Sequence, residues 1–499
     1  MKAFLMYRDR NFDPQQPLPS NAQALIQDLD LNTLFNAMAL GDKFLLAVAQ
    51  RAVLASVDDL ATIHYRQHVL QDCLNNAPVV RSIYALAIEA IESEKHHYWG
   101  FFRDYPDAIL HRSVEVLQMF VGVLKRLRSI ADEQERAATF TSEGFTTLFA
   151  MLRKELDDEY FAIIQSHLKE LKFRNGVLMS AELGVGNKGI NYVLRKPQDN
   201  QQSWIERIFA EKPPSYTFFI SERDESGARA LSELQDRGIN LVANALAQSA
   251  DHILNFFSML RLELAFYIGC LNLHEQLVQW GESLSLPSPL EAGERNHTAS
   301  GLYDICLALT MKRGVVGNEL HAENKDLMII TGANQGGKST FLRSIGQAQL
   351  MMQAGMFVPA TSFCANVCKG LFTHYKRKED MTMKSGKLDE ELSRMSEIVD
   401  HIKPDSMLLL NESFAATNER EGSEIARQII NALVEKRVKV FFVTHLYEFA
   451  HDFYAKQMKN TLFLRAERQS DGRRTFKLIE GEPLQTSYGE DVYEKIFRT

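Results

Sequence analysis

Apolar residues recur every three or four positions through most of the first 175 residues, so the chain is expected to begin as a set of helices. Residues 29–55 and 58–75 carry amphipathic stripes, and Pro78 breaks the segment after them. The longest stripe runs through Phe145, Phe149, Leu152, Leu156, Tyr160, Ile164, Leu168 and Leu171. It predicts one helix of about 40 Å, suited to a bundle or to a strut between domains. From 175 to 221 the pattern switches to short apolar runs at 176–180, 190–194 and 216–220, which read as strands. Gly184, Gly186 and Gly189 between the first two match a dinucleotide-loop spacing. A strand rather than a helix follows them, which favours a glycine-rich hairpin tip bearing Lys188. Helical periodicity returns over 226–281, punctuated by Gly238, and its proline-free part is expected to pack on the 145–171 helix. The Ser- and Pro-rich stretch 283–293 reads as a linker.

Beyond the linker the pattern becomes strand, helix, strand. The apolar run 326–331 leads into Gly332-Ala-Asn-Gln-Gly-Gly-Lys-Ser339, and 340–353 has helical spacing. Strand, glycine-rich loop and helix in that order make a phosphate cradle. Gly332, Gly336 and Gly337 let backbone N–H groups curl round phosphate oxygens, with Asn334 and Thr340 in the same loop. Lys338 brings positive charge to the β- and γ-phosphates, and Ser339 offers a hydroxyl to Mg²⁺. A second strand at 406–410 ends in Asn411-Glu412, where nucleotide hydrolases place a metal-shell carboxylate and a residue that positions water. Glu412 suits the second task; Asn411 stands at the metal position without a charge. The strand at 439–444 ends at His445, a candidate γ-phosphate sensor in the crevice beyond the strand ends.

The fold expected is mixed: a mainly α core with long helices and a small β-containing tip, followed by an α/β phosphate-loop ATPase domain. The expected divisions are a helical core at 1–140, long helices at 141–281 with the insertion near 175–221, a linker at 282–297 and the nucleotide domain at 298–499. In 499 residues, 45% hydrophobic and 24% charged residues are ordinary for a globular protein, and the length implies several domains. No apolar stretch reads as a membrane span, the first residues meet charge too soon for a signal peptide, and a cytoplasmic protein is expected. Five scattered cysteines read as buried thiols rather than as a metal site. The net charge of −8 is neutral on nucleic acid, because a local basic patch suffices to bind phosphates.

Four segments together resemble the MutS family. They are 331–343 with its Gly-Ala-Asn-Gln-Gly-Gly-Lys-Ser-Thr, 349–360 ending Gly-Met-Phe-Val-Pro-Ala, Val443-Thr-His-Leu-Tyr-Glu448, and Ser487-Tyr-Gly489. The resemblance implies a homodimeric, DNA-binding ATPase with ATP and Mg²⁺ as cofactors and composite ATP sites. The long helices look like that family's levers and the β-containing tip like its clamp. Neither its amino-terminal mismatch-reading domain nor its usual carboxy-terminal extensions are recognisable, so branched or distorted DNA is a better expectation than a simple mismatch. Two departures from the family pattern stand out. Asn411-Glu412 replaces an Asp-Glu pair, which predicts slow hydrolysis. The family's Ser-Gly-Arg-Ser-Thr signature, which reaches a partner's γ-phosphate, survives only as Ser385-Gly386-Lys387, while Asn418 is expected beside the dimer seam. Lys188, Arg195 and Lys196, with Lys169, Lys172 and Arg174, are the candidate DNA contacts. The alternatives are an ATP-driven remodeller of ribosomes or structured RNA, and a nucleotide-gated scaffold.

Overall fold

The computed structural model describes residues 1–96, 105–173, 176–196, 217, 219–221, 223–377, 386–469 and 474–484. Its first helices are α1 (Ala22–Asp28), α2 (Leu31–Ala39), α3 (Lys43–Leu54), α4 (Leu60–Asn75), α5 (Ala77–His96), α6 (Pro106–Ala137), α7 (Glu143–Glu155) and α8 (Asp158–Glu170). A hairpin of β1 (Met179–Leu183) and β2 (Gly189–Leu194) precedes the 55-residue α9 (Glu225–Gln279). Then come β3 (Ser288–Leu290), β4 (His297–Leu302), α10 (Ile305–Met311), β5 (Asn318–His321), β6 (Leu327–Thr331) and α11 (Lys338–Gln353). Next are β7 (Ser362–Asn366), β8 (Leu371–Tyr375), α12 (Lys387–His401), β9 (Met407–Asn411) and α13 (Glu419–Glu435). The series ends with β10 (Lys439–Val443), α14 (Tyr447–Ala455), β11 (Thr461–Arg468) and β12 (Arg474–Glu480). Met1–Ala3, Ser82–Ala138 and Thr147–Arg261 form one compact unit; Phe4–Arg81, Thr139–Thr146 and Leu262–Thr499 form the other.

In the first unit α6 packs on α8, and Phe120 stacks on Phe257 of α9 with ring centroids 5.9 Å apart. The helix expected over 145–171 is two helices. Asp157 stops the first turn of a continuous rod: its carboxylate accepts the Tyr160 N–H at 2.7 Å and caps α8, while the Leu156 carbonyl takes a guanidinium N–H from Arg128. The apolar stripe survives the break, with Phe149, Leu152, Leu156 and Leu168 all buried, which is why periodicity alone hid it. β1 and β2 pair antiparallel, and the turn at Val185–Asn187 carries Gly186 at φ +73°, so the glycines do form a hairpin tip. Of the strand expected at 216–220, Tyr216 and Phe218 lie outside the described residues, and Thr217, Phe219 and Ile220 are not in a strand. Gly238 does not interrupt α9. A Cβ there would sit 1.9 Å from the Met179 sulfur, so the glycine makes room for β1.

The second unit holds a six-stranded sheet in the order β12-β11-β6-β10-β9-β8, parallel except for β11 against β12, and a four-stranded sheet β3-β7-β4-β5. Strands β6 and β10 are buried along their whole length, and Phe414, Ile430, Leu433, Phe442 and Phe449 pack one face of the large sheet. α11 is sheathed on nearly every side, yet carries three fully buried glutamines. Their amide N–H groups find acceptors: Gln347 donates to Leu29 O and Asp304, Gln349 to Asn366 O, and Gln353 to Val57 O and Cys368 O. Three expectations change here. The 29–55 stripe is broken by Leu40 and Gly41, both at positive φ. Pro78 opens α5 instead of breaking a helix. Ser288–Leu290, within the stretch read as linker, is an edge strand on β7. By length and composition α9 could also cross a bilayer, contrary to the sequence reading, although 72% of its apolar window is buried inside the protein.

Candidate functional site

Parallel register brings the site together. Ile330 pairs with Val443, and Val443 with Asn411, so the carboxyl ends of β6, β10 and β9 lie side by side. Thr444 N–H donates to Ile330 O at 3.0 Å and Glu412 N–H to Val443 O at 2.8 Å, extending the ladder just past the strands. Loops leaving that edge carry the phosphate loop, Asn411-Glu412 and His445 into one crevice.

The phosphate loop needs its glycines. Gly332 and Gly337 sit at φ +111° and +92°, and a Cβ on Gly332 would lie 2.9 Å from the Ala466 nitrogen of β11. Asn334 is exposed, Gly336 buried, and Thr340 lies in the first turn of α11. Lys338 is 4% exposed and its ammonium donates to Gly332 O at 2.7 Å and Ala333 O at 2.9 Å, holding the loop curled. Burial pushes its pKa down to about 8, with Arg474 adding like-charge repulsion and Glu412 opposing the shift.

The strand-end residues form two pairs. Ser339 Oγ donates to Asn411 Oδ1 at 2.9 Å, which sets two hard oxygen donors side by side at the start of α11. Both are neutral. They fit Mg²⁺ by donor type, without the negative charge that an aspartate would bring. Glu412 Oε1 lies 2.9 Å from His445 Nε2. That hydrogen bond, reinforced by the charges of His445, Lys338 and Lys376, holds the Glu412 carboxyl below the usual carboxylate range. Glu412 and the nearby Phe414 have φ of +55° and +65°, strained values for bulky residues that fix the turn presenting the carboxylate.

Other candidates lie elsewhere. Ser385 and Ser487-Tyr-Gly489 are outside the described residues. Gly386 precedes α12 in an extended conformation and Lys387 is its first residue. Asn418 caps α13, accepting the Glu421 N–H at 3.0 Å. On the hairpin, Lys188 is exposed, Arg195 donates to Ser180 Oγ at 2.9 Å, and Lys196 pairs with Glu170 at 3.0 Å.

The sequence reading missed one wall. Beside the phosphate loop opens a cavity of about 640 Å³, mostly apolar, lined by Tyr303, Met311, Val315, Gln335, Phe341 and Phe476 among others. Asp304 anchors its floor, accepting from Arg343 and Gln347. The only sequence signal was a scatter of apolar residues, which periodicity assigns to the core.

Residues 58–280 match the family model of the MutS2 N-terminal domain, and 328–497 match that of MutS domain V. Among curated proteins the chain is similar to MutS protein homolog 4 of Homo sapiens, 24% identical over 59% of this chain and 32% of that protein. It is also similar to the DNA mismatch repair protein MutS of Thermotoga sp. (strain RQ2), 30% identical over 41% of this chain and 26% of that protein. The protein of the same name from Clostridium botulinum (strain Alaska E43 / Type E3) is 33% identical over 26% of this chain and 14% of its own. The chain therefore spans about a third or less of the length of these relatives.

Proposed function

Since the chain belongs to the MutS family, we propose that it is a DNA-binding ATPase whose second unit binds and hydrolyses ATP. The observation that carries this is the pairing of Ser339 with Asn411 and of His445 with Glu412 at adjacent strand ends facing one phosphate loop. The loop amides and Lys338 hold the phosphates, and the neighbouring cavity takes the base. Ser339 directly, and Asn411 through water, would hold Mg²⁺, which would neutralise phosphate charge. Glu412, ionised and oriented by His445, accepts a hydrogen bond from a water molecule. That water oxygen bonds to the γ-phosphorus as the bond to the β–γ bridging oxygen breaks. ADP leaves, and the water's proton passes through Glu412 to solvent.

The wider reading follows the family. Two copies would join with each Ser385–Lys387 loop at the partner's nucleotide, and the helices of 141–281 would act as levers to a clamp bearing Lys188, Arg195 and Lys196. The favoured DNA is branched or distorted, and the setting cytoplasmic. The test is steady-state ATP turnover with bound nucleotide measured in parallel. Wild type should turn over many times, and Glu412→Ala should bind ATP but lose turnover about 100-fold or more. A wild type that never exceeds one turnover, or a Glu412→Ala enzyme as fast as wild type, removes the hydrolytic assignment.

A further inference from the structure

β12 reaches the phosphate loop through an irregularity in its pairing with β11. Ala466 pairs with Leu478 but Arg468 with Arg474, so four steps on β12 span two on β11. The extra length bulges toward the loop, and Phe476 within it sits at φ +58°, an unfavourable conformation for an aromatic residue. Asn318 clamps that bulge with one side-chain amide, donating to Phe476 O at 3.3 Å and accepting from the Leu478 N–H at 2.7 Å. Lys477 ties the same segment to Gly317 O. The outcome is close approach: a Cβ on Gly337 would lie 3.2 Å from Phe476 O. Phe476 thus lines the cavity, and two residues earlier Arg474 donates to the side chain of Gln335, inside the phosphate loop, at 2.8 Å.

The geometry points to Arg474 as a second cationic contact for the phosphates of the nucleotide, supplied by the same chain that supplies Lys338. This rests on the nucleotide-binding reading above. Three features support it. Arg474 donates to the Gln335 side chain at 2.8 Å, which holds its guanidinium against the exposed part of the phosphate loop. Arg474 is close enough to Lys338 to repel its charge, and two cations converging on one crevice suit a polyanion. The metal position is also uncharged at Asn411, leaving more of the phosphate charge to be met by side chains. Arginine forms paired N–H bonds to phosphate, so its bond to Gln335 can be exchanged for stronger charge-assisted ones.

The test compares binding of adenosine, ADP and ATP, with magnesium present, to the full chain as wild type, Arg474→Ala and Arg474→Lys. For Arg474→Ala, affinity for ATP and ADP should fall about 10-fold or more while adenosine affinity stays as in wild type. Arg474→Lys should recover part of the loss. Unchanged ATP affinity in Arg474→Ala overturns the assignment, as does an equal loss for adenosine, which marks a merely structural prop for the cavity. Wild type that binds none of the three overturns the nucleotide reading and this inference together, so the two failures are told apart.

Discussion

Lys338 should make nucleotide affinity fall steeply in mild alkali. Its ammonium is buried and already shared between two loop carbonyls, and desolvation brings its pKa to about 8 in the empty site. Contact with a phosphate stabilises the charged form and raises the pKa in the complex. Below pH 8 the lysine is protonated in both states and affinity is level. Above pH 8 binding must take up a proton, so the dissociation constant rises about tenfold per pH unit until the pKa of the complex is reached. Between pH 8 and pH 10 the loss approaches about 100-fold, roughly 3 kcal/mol. Calorimetric titration of ATP from pH 7.5 to 10 in buffers of differing ionisation enthalpy measures both affinity and proton uptake. Arginine does not titrate in this range, so a Lys338→Arg protein that still binds should show a flat profile. Constant wild-type affinity to pH 10, without proton uptake, would refute a desolvated lysine as the phosphate contact.

Two further outcomes follow. Asn411→Asp puts a carboxylate where the amide oxygen lies 2.9 Å from the Ser339 hydroxyl and should raise turnover or lower the magnesium concentration needed; kinetics over a magnesium series check this, and a variant no faster at any concentration counts against Asn411 as the metal-side residue. Lys439, 1% exposed, bonds Asn296 O and Asn366 Oδ1, and burial pushes its pKa down to about 7 from an ordinary 10.5. Here the folded state binds fewer protons than the unfolded state, so stability rises from pH 7 to pH 10.5 and the penalty is complete below pH 7. That penalty is roughly 5 kcal/mol at most. Denaturation curves of Lys439→Met should lack this slope, and curves parallel to wild type from pH 7 to pH 10 would contradict it.

The parts of the site that are local in sequence were legible. Residues 326–353 contain strand, loop and helix in one stretch, and the strands leading to Asn411 and His445 are short apolar runs of the kind a buried parallel sheet uses. β8 was hidden because Thr373 and His374 interrupt its apolar run, although His374 is buried with Ser413 Oγ 2.7 Å from one ring nitrogen and Glu391 O 3.0 Å from the other. β3 looked like linker because Pro289 and its serines suit an edge that pairs on one side only. The break at Asp157 left no mark on the apolar stripe. Arg474 and Phe476 were invisible for another reason: they come to the loop across some 140 residues by way of a bulge whose clamp, Asn318, has no signature of its own.

The most direct measurement is the affinity of the full chain for duplex, mismatched, branched and single-stranded DNA and for structured RNA, with and without non-hydrolysable ATP, in wild type and Lys338→Ala. Thermodynamic linkage requires that a nucleotide coupled to DNA binding change the DNA affinity, typically by 5- to 150-fold. The account predicts such a shift in wild type, largest on branched or distorted DNA and absent in Lys338→Ala. Equal DNA affinity with and without nucleotide, or a shift confined to structured RNA, would contradict it.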